Sequence, residues 1–169
     1  MKKVLQFSGI IAFALALVGF ILTMTTTAIT YQLGGATVTV SGTTAIFGSK
    51  GVLIDTNPAT MALIAWILGL IGLLLTCCGV VLPMLKIKGV EKLAGVLNFV
   101  AVACFVLAGV FTFFVVSSFL NSNGLSSVGD PKIGVGWVFG AIFYLAGGVF
   151  ALLPTIMDFA GKGKKKKKK

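Results

Sequence analysis

The chain contains no histidine and no arginine. That removes the usual general base near neutral pH and the commonest side-chain metal ligand. Acid groups are scarce as well: Asp55, Glu91, Asp130 and Asp158 are the four carboxylates among 169 residues. None falls in the middle of a long apolar run, where ion-coupled transporters and proton relays keep their ionisable groups. Cys77 and Cys78 are adjacent and Cys104 stands alone. Neither arrangement is the Cys-x-x-Cys spacing of dithiol redox chemistry, and all three read as small apolar packing residues. There is no Gly-rich phosphate-cradling motif. The expectation is a protein that is not an enzyme and has no catalytic residue, metal site or cofactor.

What the chain does have is apolar length. It is 57% hydrophobic and only 11% charged, against roughly 25% charged in ordinary soluble domains. Mean hydropathy is +1.08. Four uncharged stretches, about 4–24, 59–85, 93–120 and 133–157, each reach the ~20 residues a helix needs to cross a bilayer's hydrocarbon core. Helix is the required form, because lipid cannot satisfy open strand edges.

The 14 basic residues are all Lys. Lys2 and Lys3 open the chain, Lys86, Lys88 and Lys92 occupy the middle, and seven fall between Lys162 and Lys169. Only Lys50 and Lys132 lie elsewhere. By the positive-inside rule this predicts a multi-pass protein of the cell membrane with both termini in the cytoplasm. Residues 25–58 and 121–132 are then outer loops and 86–92 an inner loop. Read as a signal peptide, the first stretch is too long for an h-region of about 7–15 residues. The tail from 162 to 169 reads as disordered, with Lys164, Lys165, Lys166, Lys167, Lys168 and Lys169 placed to contact anionic headgroups of the inner leaflet, at about 1 kcal/mol per Lys. Without aromatic or fold context, nucleic acid is not an expected partner.

An internal repeat is written in the apolar stretches. Trp66-Ile-Leu-Gly69 precedes Leu82-Pro83, and Trp137-Val-Phe-Gly140 precedes Leu153-Pro154, with a constant offset of 71. Stretches one and three align at an offset of 92, pairing Gln6 with Asn98 and Phe13 with Phe105. The pattern predicts a tandem duplication of a helical hairpin, two plus two, related by an axis along the membrane normal. Trp66 and Trp137 are expected to anchor at the outer membrane interface. Gly69 and Gly140 are expected to allow close helix approach, and Asn98 to hydrogen-bond between helices. Pro83 and Pro154 are expected to end or kink their helices.

The long outer loop carries strand character. Ala36-Thr-Val-Thr-Val-Ser41 alternates polar and β-branched apolar residues, the pattern of a half-buried strand. Thr44–Phe47 and Val52–Ile54 read as two more short strands, giving a small antiparallel β meander. The Ser-, Asn- and Gly-rich loop 121–132 reads as a turn that can lend an edge strand.

The predicted fold is therefore an all-α membrane protein: a four-transmembrane-helix bundle with that meander in its first extracellular loop. Four spans, cytoplasmic ends, a long strand-bearing first outer loop and a shorter second one resemble the claudin-like tetraspan layout. The resemblance is one of architecture over most of the chain. The family's Trp…Gly-Leu-Trp…Cys…Cys outer-loop signature is absent, so no family residue is carried over. The layout implies a structural, organising or accessory role, with a homo-oligomer or another membrane protein as partner and lateral assembly through outer β segments. The rival expectation is a small transporter or channel subunit, its path lined by Thr23, Thr76, Thr112 and glycines.

Overall fold

Runs of Leu, Ile, Val, Ala and Phe without a charge have one low-energy backbone solution away from water, and the chain adopts it four times. The computed structural model describes residues 2–50, 55–82, 90–125 and 129–166, with the side chains at 2–6, 90–92, 154–155 and 157–166 also left aside. Helix α1 is Lys2–Thr25. The strands β1 (Thr27–Leu33) and β2 (Ala36–Ser41), the short helix α2 (Gly42–Phe47), and the two-residue strands β3 (Ser49–Lys50) and β4 (Asp55–Thr56) follow. Then come α3 (Thr60–Val81), α4 (Val90–Phe113), α5 (Val115–Ser122), β5 (Gly129–Ile133) and α6 (Val135–Lys166). Four helices are long and apolar enough to cross a membrane: Phe7–Thr25, Thr60–Val81, Leu93–Phe113 and Val135–Leu153.

In the bundle, α1 packs along α6, α6 along α4 and α4 along α3, and a lighter α3–α1 contact closes the ring. Small residues fill its interior. Ala12, Ala16, Ala101, Ala108 and Ala141 are buried, with Leu73, Phe105, Trp137 and Tyr144 among the larger residues buried beside them. The large aliphatic and aromatic side chains point outward: Phe7 is 69% exposed, Leu74 60% and Val149 61%. A water-soluble bundle has the opposite arrangement, with a large-residue core and a polar perimeter.

One end of the bundle carries a cap. Strands β1 and β2 form a hairpin, registered Leu33↔Ala36 and Tyr31↔Val38. Gly34 and Gly35 both have positive φ, +58° and +84°, as a two-residue hairpin turn whose twist matches its strands requires. Strand β5 pairs antiparallel with the other side of β1, Ile29↔Ile133 and Thr30↔Lys132. The sheet order is β2-β1-β5. Its inner face, α2 and α5 form a second core: Ala28, Ile29, Val40, Ile46, Val115 and Phe119.

Several expectations need correction. Residues 44–47 are not a strand but the body of α2. Ser41 caps this helix by accepting from Thr44 N at 3.2 Å, and the hydroxyl cap gives the following turn a helical start that the β-branched letters concealed. The third strand of the sheet is β5, from the second loop, and the expected strand over 52–54 lies outside the described residues. Strand β1 falls where only loop was expected. The third apolar stretch is broken at Phe114, where Phe114 N bonds Phe111 O at 3.0 Å. Just before it, Thr112 Oγ1 donates back to Ala108 O at 2.7 Å, a bond that bends helices. Helix α6 runs past Pro154 and past the expected end at Met157 to Lys166. Lys is a good helix former, and Lys near a helix C-terminus complements its dipole. The tail expected to be disordered is thus helical up to Lys166, while 167–169 lie outside the described residues.

Candidate functional site

Two features meet at the capped end: a crevice where polar groups converge beneath the cap, and a strand edge on the cap itself. Trp66 enters from α3, Trp137 and Tyr144 from α6, Thr23 from α1 and Thr112 from α4. Ile46 of α2 closes them over, and Ala62 and Ala65 leave room on the α3 side. About 170 Å³ of non-atom space, part of it open to the outside, lies among these side chains, and none of it seats a water-sized sphere as the side chains stand.

Polarity here is unusual for so apolar a chain. Trp137 and Tyr144 are each 1% exposed. Trp66 Nε1, Trp137 Nε1 and Tyr144 Oη are buried atoms without a hydrogen-bond partner among the described residues. Tyr144 Oη lies beside the Thr23 hydroxyl but outside hydrogen-bond geometry. Thr23 Oγ1 donates to Phe20 O at 2.9 Å, and Thr112 Oγ1 donates to Ala108 O. Each threonine has thus spent its proton on its own helix and presents lone pairs to the crevice. Unmet buried donors cost about 1–3 kcal/mol each.

The sequence-selected residues fall into three groups. Trp137 lies in the interior rather than on the perimeter where an interface anchor would sit. Trp66 is half-buried, with Phe20 and Phe47 against its ring at centroid distances of 5.7 and 5.1 Å. Gly69 and Gly140 are close-approach positions. A Cβ at Gly69 would lie 2.5 Å from Tyr144 Oη, and one at Gly140 would lie 2.7 Å from Thr23 Cγ2. Both therefore admit crevice residues. Asn98 sits far from the crevice, packed on Gly79, and its Oδ1 has no hydrogen-bond partner among the described residues. The backbone of Pro154 is within α6, but its side chain is not described. Pro83 lies outside the described residues, as do Lys167, Lys168 and Lys169. Lys164, Lys165 and Lys166 contribute backbone only. Of the three threonines proposed for a pore, Thr23 and Thr112 line the crevice, whereas the buried Thr76 bonds back to Gly72 O at 2.8 Å. Cys77 and Cys78 are exposed rather than packed inside; Cys104 is buried.

The strand edge is the second feature. Strands β2 and β5 are the two outer strands of the sheet. Strand β5 carries Asp130, Pro131 and Lys132, with Lys132 Nζ 2.6 Å from Asp130 Oδ2. Charge and proline on an edge block further pairing. Strand β2 reads Ala-Thr-Val-Thr-Val-Ser and has neither. The cap is held down by contacts that sequence patterns do not reveal. Asn57 N donates to Asn123 Oδ1 at 2.7 Å, Asn123 Nδ2 donates to Asn57 O at 3.1 Å, and Met61 N donates to Ser118 Oγ at 3.0 Å.

No known protein family matches the chain, and no curated protein sequence matches it.

Proposed function

We propose that this chain is a non-enzymatic integral membrane protein with a structural, organising or accessory role, whose copies assemble side by side through the free edge of β2. The observation that carries the reading is the unequal treatment of the two sheet edges. One is closed by Asp130, Pro131 and Lys132, and the other is six residues of uncharged, β-rich backbone with no further strand beside it among the described residues. An unprotected edge templates strand addition. Identical edges pair antiparallel about a two-fold axis, which places the same strand on both sides of the contact. The absence of charge on β2 lets two copies of a chain with net charge +10 approach there without repulsion.

Embedding in a bilayer is supported by the four long apolar helices and by the outward-facing Phe, Leu, Ile and Val. Lipid accommodates such a surface, whereas in water an apolar patch of that extent drives aggregation. The Lys distribution supports cytoplasmic termini in the cell membrane, with the cap outside and the 164–169 lysines at anionic inner-leaflet headgroups. The tandem duplication gains support from Trp66 and Trp137: equivalent in the repeat, they converge on one central crevice. The claudin-like resemblance is of layout, and the role proposed is the lateral assembly that layout implies.

The test is particle mass in lipid nanodiscs. The wild-type chain is expected as a dimer or larger assembly. The Thr37→Lys/Thr39→Lys double variant, which leaves the inward-facing Val38 and Val40 intact, is expected as a folded monomer. A wild-type monomer, or an oligomer that the double variant leaves unchanged, removes the β2 edge as the contact.

A further inference from the structure

Beneath the cap, three buried proton donors without a partner among the described residues belong to side chains that line one crevice together with two hydroxyls whose own protons are already committed. Trp66 Nε1, Trp137 Nε1 and Tyr144 Oη supply the donors. Thr23 and Thr112, tied to Phe20 O and Ala108 O, supply the acceptors. All five side chains line one crevice. The set is neutral: among the described residues no Lys, Asp or Glu lines it. An ion would enter without a compensating charge, which a buried site tolerates poorly. A purely apolar occupant would leave all three donors unmet. The chemistry that fits is a neutral group that both accepts from N–H and O–H and donates to hydroxyl lone pairs. Water meets that description, and buried waters characteristically make two to four such bonds.

We propose that this crevice is an internal water site joining the capped ends of all four long helices, filled by a small outward shift of Ile46, which seals it from the cap side. The shift is required because no crevice seats a water as the side chains stand. Ile46 belongs to the six-residue α2 rather than to one of the four long helices, so the shift moves α2 against the cap core in which Ile46 is buried and leaves the bundle in place. Ala62 and Ala65 matter as well. Larger residues there would fill the space the water takes, and both positions are buried. The proposal is independent of whether copies assemble through β2.

The chain has two tryptophans, and both are in the site, so the indole protons report on it directly. The experiment is ¹⁵N-indole NMR of the full chain in lipid nanodiscs, with the two signals assigned by Trp66→Phe and Trp137→Phe. Magnetisation transfer from water to the Trp137 indole proton is expected, and that proton should exchange in deuterated buffer well before the mid-helix amides of α1. Ala65→Leu should abolish the water cross-peak and slow the exchange about tenfold or more, while the outer-cap amides keep wild-type exchange. Two results overturn the proposal. One is a Trp137 indole proton with no water cross-peak that outlasts the mid-helix amides. The other is a cross-peak indifferent to Ala65→Leu in a protein with intact cap amides. If the Ala65 variant fails to fold, Tyr144→Phe gives the second reading: removing one bond of the site should speed Trp137 indole exchange, and an unchanged rate counts against it.

Discussion

At the scale of single residues, glycine and alanine set how closely the helices approach. Gly69 and Gly95 both lie within helices, yet they predict opposite outcomes. A Cβ at Gly69 meets the Tyr144 hydroxyl, whereas a Cβ at Gly95 meets nothing within 4 Å. Gly69→Val should therefore destabilise the protein by about 1–3 kcal/mol through overpacking. Gly95→Ala should be neutral or stabilise it by up to about 1 kcal/mol, since alanine is the better helix former. Thermal unfolding of the two variants in the same detergent checks both signs. Gly69 was legible from its place in the repeated Trp-x-x-Gly frame, but its partner was not, because sequence spacing carries no information on which neighbouring helix faces it. The same limit hid the fate of the indoles. Trp137 is buried under the cap, and nothing in the local sequence distinguishes an interior Trp at a helix end from one facing lipid headgroups.

At the scale of elements, the long helices were legible because a continuous apolar run of about 20 residues admits one structure in lipid. The cap was only half legible. Strand β2 shows the alternating pattern, but β1 directly follows an apolar helix and blends into its end. Helix α2 consists of Gly-Thr-Thr-Ala-Ile-Phe, whose β-branched residues suggest a strand until the Ser41 hydroxyl is seen capping Thr44 N. The Asn57–Asn123 clasp bridges 66 positions along the chain, a separation at which pattern reading has no purchase. Asn123→Ala removes three bonds of that clasp and its helix end: from Asn57 N, to Asn57 O and to Phe119 O. Individual bonds are worth about 0.5–1.5 kcal/mol, so amides of 57–61 should exchange at least several-fold faster in Asn123→Ala while the α1 and α6 amides are unchanged. Equal protection in variant and parent would show that the clasp does not hold the entry to α3. Ser118→Ala should act in the same direction and more weakly, by freeing Met61 N alone.

At the scale of the whole molecule, the small residues inside and the large apolar residues outside are the arrangement on which the proposed lipid embedding rests, and among the described residues the cap is the one sizeable structure off the bundle. Within that cap, Asp130, Pro131 and Lys132 close one edge of the sheet, whereas β2 has no second partner strand among the described residues, the asymmetry on which the proposed lateral assembly rests. The most direct measurement is cysteine cross-linking in native membranes. Single cysteines are placed at Thr37 and Thr39, on the outward face of β2, and at Lys132 on β5, in a chain whose Cys77, Cys78 and Cys104 have been replaced by Ala. The account predicts covalent dimers from the β2 positions and none from Lys132. Cross-links from Lys132 alone, or from none of the three positions while the protein remains folded, would contradict assembly through the free edge.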